Sequence, residues 1–325
     1  IQKRGANASV LWIDEPDKPH EWRIPPVLKS AMAGCDTFIN HSFNLVTEDI
    51  RPLRNYFMEL GIKYIRNFAT TSSLLNTPWA QTPSKLVAEI RYQASKMIEV
   101  GKSMTLTDDN GTSLSATIAA PSHMWFPTYA CYREEGGGYL PWPEWVFPPI
   151  NLEQVNGTVV FDCMLSWWSR YIGVPPYFLT PIHLEIEDSR IKNIKGGDEA
   201  AALKSFLELM KGKVGDCVYD FKAMHSGVHP QAVIGNHQCP NTNYRRIIEH
   251  AHTSNIHVHI GSEHEVKEYP YWLHVTGDIR SATWKVGDQL IHDNGRLTAL
   301  DHPKVIATAE KYPNRPGLKS VPWQY

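Results

Sequence analysis

The chain has 325 residues, of which 42% are hydrophobic and 20% charged, a balance that suits one large domain or two, with a sizeable core. A formal net charge of −2 excludes the basic footprint of a nucleic-acid or anionic-membrane binder. No apolar run reaches the roughly 18 residues of a membrane-spanning helix.

The five cysteines, Cys35, Cys131, Cys163, Cys217 and Cys239, are widely spaced and form no Cys-x-x-Cys pair. That argues against a disulfide framework or a thiolate zinc site, and for a reducing, cytoplasmic setting. No apolar region follows Ile1-Gln2-Lys3-Arg4-Gly5, so no secretory signal is expected.

Residues 1–101 read as an α/β domain. Residues 9–13 (Ser-Val-Leu-Trp-Ile) predict a short buried strand. Pro25-Pro26 opens a helix that Gly34 stops, and residues 37–40 and 62–65 predict two more strands. Residues 49–60 predict a helix, with Ile50, Leu53, Tyr56, Phe57 and Leu60 on one stripe and Gly61 at its end. Residues 84–100 predict a long amphipathic helix closed by Gly101. Strands alternating with helices imply a parallel sheet. No Gly-x-Gly-x-x-Gly or Walker loop follows a strand, so nucleotide binding has no support.

Residues 102–325 read as a mostly antiparallel α+β domain. Asn110-Gly111, Asn156-Gly157 and Asn294-Gly295 predict hairpin turns. Strands are expected at 104–108, 114–119, 158–165, 183–187 and 283–291, and helices at 199–210 and 244–252. On the strand 183–187, His183, Glu185 and Glu187 share one face, read as solvated. Residues 121–149, rich in Pro, Trp and Gly, predict a lid or an interface arm, and with it a homo-oligomer.

Nine of the 15 histidines fall between His225 and His274: His225, His229, His237, His250, His252, His257, His259, His264 and His274. Imidazole is the commonest neutral metal ligand and an acid–base near pH 7. His257 and His259 lie two apart in a strand-like run, so both face one side. His225 and His229 precede them, and His274 opens a further strand-like segment that holds Asp278. Two histidines and a carboxylate on one face, with open positions, is the donor set of non-haem Fe(II) oxygenases; more histidines also suit Zn or Mn. His250 and His252 sit at a helix end, where a cation suits the helix dipole, and are given no metal role. His264 and the histidines in turn-like contexts, among them His237, His292 and His302, are given none either. His41, at a strand end, is a weaker active-site candidate. Trp142, Trp145 and Trp272 read equally as pocket walls or as core.

Several stretches carry a resemblance. They are Thr107-Asp108-Asp109-Asn110-Gly111-Thr112, then 142–148, then Asn156-Gly157-Thr158-Val159-Val160-Phe161-Asp162. Ile182-His183-Leu184-Glu185-Ile186-Glu187, Gly227-Val228-His229-Pro230 and 274–288 follow. In order and kind they resemble the superfamily of aminopeptidase T-type leucyl aminopeptidases and 2,5-dihydroxypyridine 5,6-dioxygenases, over about residues 8–300. The resemblance implies an N-terminal α/β domain followed by an antiparallel metal-binding domain. It matches His274 to the metal histidine of a His-x-Asp motif, Arg280 to an arginine six residues on, and His257 to the histidine of the aminopeptidases' His-x-x-x-Gly strand. The motif's aspartate position holds Thr276, with Asp278 two residues later. The aminopeptidases' metal glutamates fall at Trp145, beside Glu144, and near Ala223, two before His225, which could fill the place of a dioxygenase histidine.

The reading that follows is a mononuclear metal enzyme, with Fe(II) ahead of Zn or Mn, that uses O₂ to cleave a small hydroxylated aromatic or heteroaromatic ring. His225, His257 and His274 would hold the metal, with Asp278 or His259 completing the shell. His229 or His259 would serve as acid–base, and Arg280 would meet a substrate carboxylate or oxyanion. The alternative is a metal-dependent hydrolase, an aminopeptidase or amidase; a non-catalytic metal-binding protein is a third reading. The expected partner is a small molecule, with no nucleic acid and no membrane.

Overall fold

The computed structural model describes residues 5–13, 24–41, 56, 59–69, 71–121, 138–143, 149–261, 273 and 275–322. Among them a small parallel sheet and a large antiparallel sheet organise the chain.

The small sheet has the order β1–β2–β5, with β1 Thr37–Asn40, β2 Lys63–Asn67 and β5 Gly138–Trp142 all parallel. Helix α1, Pro26–Ala33, starts on the Pro25-Pro26 pair and ends at Gly34 as the sequence predicts. It buries Leu28 and Met32 with Ile62 and Tyr64. Residues 9–13 depart from expectation: they form no strand and pair with none among the described residues, and Trp12 is 92% exposed. An apolar run becomes a strand only where a partner edge accepts it, and the third strand here comes from 138–142 instead. The expected helix 49–60 lies outside the described residues except Tyr56, Glu59 and Leu60, which are helical. Most of the expected arm 121–149 also lies outside them.

Helix α2, Ser84–Lys96, ends earlier than Gly101. Its stripe of Leu86, Val87, Ile90 and Ala94 joins the apolar cluster of the large sheet, which begins at Phe68. Helix α2 packs there on α6, Pro303–Ala309, so the two cores divide near Phe68.

The large sheet has eleven strands among the described residues, and their pairings are antiparallel. The strands are β3 Ser103–Thr107, β4 Ser113–Pro121, β6 Ile150–Met164, β7 Tyr177–Glu187, β8 Arg190–Lys195, β9 Ala223–Ser226, β10 Asn255–Ile260, β11 Val275–Arg280, β12 Thr283–Val286, β13 Gln289–Asp293 and β14 Arg296–Leu297. The main path runs β11–β10–β9–β6–β4–β3–β12–β13–β14, with β7 and β8 branching from β6. Helices α3 Ser166–Ile172, α4 Asp198–Val214 and α5 Thr242–His250 connect them. No helix among the described residues is long and apolar enough to cross a membrane.

Asn110-Gly111 turns the β3–β4 hairpin, where Asp108 Oδ1 accepts from the N–H groups of Asn110 and Thr112, both at 2.8 Å. Asn294-Gly295 turns β13 into β14 with positive φ at both residues, 45° and 79°. Asn156-Gly157 is no turn. It lies inside the 15-residue β6, where Gly157 has φ 127° and a Cβ would sit 2.0 Å from Ser113 O. The glycine lets β4 approach closely. Strand β6 also pairs with β9 at Ile150 and Asn151 and with β11 at Cys163 and Met164. Strands β6, β9, β10 and β11 therefore pair in a closed circuit. On β7, Ile182, Leu184 and Ile186 are buried while Glu185 meets Lys195 and Asn193, the solvated face expected.

Candidate metal centre

Pairing register builds the site. His257 on β10 lies opposite His225 on β9 and opposite Asp278 on β11. Residues directly opposite in adjacent strands share a face, so the three side chains form a row across the circuit. His259, two residues along β10, extends the same face. Ring centroids of His225 and His257 are 4.6 Å apart, and those of His225 and His259 are 4.9 Å apart.

Helix α5 brings a fourth imidazole. Asn241 caps it by accepting from Tyr244 N–H at 3.0 Å, and its buried residues run from Arg246 to His250. A short connection, 251–254, then folds the chain back into β10. His250 thereby stacks on His257, with centroids 3.5 Å apart and planes 11° apart. Each of His225, His250 and His257 offers a ring nitrogen within 4.8 Å of the others, and all three are buried.

Two hydrogen bonds order these rings. His257 Nε2–H donates to His250 O at 2.5 Å, which leaves the lone pair on Nδ1. Nδ1 is buried and has no hydrogen-bond partner among the described residues. Burial first, then His250, His225 and Arg246, hold His257 well below the usual histidine pKa, so the ring is neutral, the form that could ligate a metal. His250 Nδ1 lies 3.1 Å from Asp278 Oδ2. That same oxygen is ion-paired to Arg246, and both charged side chains are fully buried. Arg246 also stands 6.0 Å over the Tyr177 ring, whose hydroxyl donates to Glu249. Burial raises the Glu249 pKa, with Arg246 pulling it the other way.

The other sequence candidates fall as follows. His274 lies outside the described residues, as do Trp145, Trp272 and His264. His229 is buried but outside the cluster: its Nδ1 accepts from Gln231 N–H at 3.2 Å, and it pairs by a backbone bridge with His252. Burial, then the neighbouring His252, lowers the His229 pKa to about 3. Arg280 pairs with Asp162 at the mouth of a cleft of about 290 Å³, lined also by Asn110, Phe161, Ser281 and Asp278. His41 hydrogen-bonds Asn67 at 2.9 Å beside the small sheet and joins no member of the cluster. Trp142 is half-buried against the large core.

Sequence reasoning missed His250 and Arg246. The signal was present in α5, where Arg246, Glu249 and His250 share the helix with Tyr244, Ile247 and Ile248. Charged side chains buried on a helix need partners in the fold.

The family model for NicX, 2,5-dihydroxypyridine 5,6-dioxygenase, matches residues 79–299, a span that holds every member of the cluster. No curated protein matches the chain. Among solved structures, the chain is similar to the 2,5-dihydroxypyridine dioxygenase from Pseudomonas putida KT2440, at 18% identity and a TM-score of 0.55, over 83% of this chain and 74% of that one. It is also similar to wild-type AmpT from Thermus thermophilus, at 11% identity and a TM-score of 0.42, over 84% and 80% of the two chains. The first of these shows a shared fold.

Proposed function

The chain belongs to the 2,5-dihydroxypyridine 5,6-dioxygenase family, and on that premise we propose that it is a metal-dependent dioxygenase that cleaves a small hydroxylated aromatic or heteroaromatic ring. The observation that carries the proposal is the gathering of His225, His250 and His257 inside the matched span, with His257 Nδ1 buried and unpartnered among the described residues. Buried polar atoms are normally satisfied, and a neutral imidazole nitrogen aimed at other imidazoles fits a divalent transition metal.

His225, His250 and His257 would hold the ion, and iron is the metal proposed. His274 remains a candidate ligand from the sequence. Iron(II), when bound, supplies the one-electron chemistry that lets O₂ react with a closed-shell ring. The rest falls to the chain. Three neutral imidazoles leave the ion's double charge for an anionic ring hydroxylate, which orients the substrate. His259, 4.9 Å from His225, is the acid–base proposed to take the hydroxyl proton. His229 is a weaker choice, because it stands outside the cluster and, with a pKa lowered to about 3, is too weak a base to hold the proton near neutral pH. Arg280 is the group for a substrate carboxylate or oxyanion, which would displace Asp162.

A dinuclear hydrolase needs bridging carboxylates, and the cluster among the described residues offers only imidazoles. The test is oxygen uptake by iron-loaded protein with dihydroxylated pyridines and benzenes. One O₂ should be consumed per ring opened, and His257→Ala should lose both iron and uptake. Ring or amide turnover that continues under anaerobic conditions would refute the proposal.

A further inference from the structure

We propose that Asp278 is a positioning residue and not a metal ligand: Arg246 and Asp278 form one buried device that points His250 at the ion. This rests on the reading above that His225, His250 and His257 hold the metal.

The observations are geometric. Asp278 Oδ2 receives two donors, the Arg246 guanidinium and His250 Nδ1 at 3.1 Å. Asp278 stands outside the set of side chains whose ligand atoms gather within 4.8 Å. Arg246 and Asp278 are both fully buried, each the charged partner of the other. Moving the carboxylate onto the ion would strand a buried guanidinium beside a divalent cation, so the pair holds Asp278 back. With Nδ1–H committed to the carboxylate, His250 has its lone pair on Nε2, and the bond makes the ring a better donor. Arg246 suits this part because its charge is permanent and its fork can hold a carboxylate without giving up orientation. Helix α5 supplies both Arg246 and His250, one turn apart, so a single element carries the ligand and the clamp of its orienter.

The test replaces iron with Co(II), whose visible bands report the ligand set. Asp278→Asn should leave the band positions of the wild type and weaken Co(II) binding by about 10–100-fold, the usual cost of losing such an orienter. His250→Ala should move the bands. Arg246→Met should weaken binding about as much as Asp278→Asn, and the double variant should be little worse than either. Bands that move in Asp278→Asn but hold in His250→Ala would overturn the proposal, as would fully additive losses in the double variant. X-ray absorption at the cobalt edge of Co(II)-loaded wild-type protein needs no variant to fold. Three or more imidazoles without a carboxylate are expected, and a carboxylate in the shell refutes the idea. The two levels separate cleanly. A wild type that takes up no metal removes both readings, whereas iron-dependent oxygen uptake with a carboxylate in the shell removes only this one.

Discussion

His257 touches every other member of the cluster: it stacks on His250, donates to that residue's carbonyl, meets His225 edge-on and lies opposite Asp278. Part of this was legible in the sequence. Strand alternation placed His257 and His259 on one face, and the density of histidines pointed to His225. His250 and Arg246 were not legible, because their partners are reached only when α5 folds back on β10, and spacing along the chain does not record that return. Burial of histidines has a further consequence for pH. His229, His252 and His292 are buried and lowered to about 3, 4 and 3, in each case chiefly by burial. The unfolded chain takes up these protons below about pH 6.5, whereas the folded chain refuses them until pH 3–4. Stability should therefore fall with pH through that window, by up to about 1.4 kcal/mol per pH unit for each group. Glu249, with its raised pKa, acts in the opposite sense. Urea midpoints measured from pH 8 to 5 should be level above pH 7 and decline below 6. A midpoint that holds or rises on acidification contradicts this account.

Among the elements, β6 decides most. Its 15 residues serve β4, β7, β9 and β11, and Gly157 lets β4 come close to it. Gly157→Ala should cost about 2–5 kcal/mol, from backbone strain at φ 127° and collision with Ser113 O. Chemical denaturation checks it, and Gly111→Ala is the control. Gly111 also has positive φ, but a Cβ there meets only Val160 at 3.7 Å, so its cost should be clearly smaller. Equal losses would show that conformational strain alone is at work. The same contrast explains what the sequence could and could not say. Asn-Gly reads as a turn, and at 110–111 and 294–295 it is one. At 156–157 a strand from elsewhere comes close, and no local pattern announces that neighbour. Residues 9–13 fail in the converse way: the strand-like pattern is there, but no strand among the described residues pairs with it.

For the whole molecule, the broad plan was legible, with parallel pairing early in the chain and antiparallel pairing after it. The composition of each sheet was not. The third parallel strand comes from 138–142, and α2 turns its apolar stripe to the other core. Both depend on which surfaces meet, and meeting is a property of the assembled chain. The placement of β12 carries this to the order in which the protein is made. Strand β3 has β4 on one side and β12 on the other, and β12 emerges from the ribosome only after the whole histidine cluster. Until then one edge of β3 stands open, and open strand edges recruit other chains. A chain stopped after Ser281 keeps β9, β10 and β11 and should nonetheless pellet on centrifugation, whereas the full-length chain stays in the supernatant. Synthesis thus finishes the strands of the histidine cluster before it seals the sheet that supports them, and nascent chains are most at risk of sticking to one another in that interval.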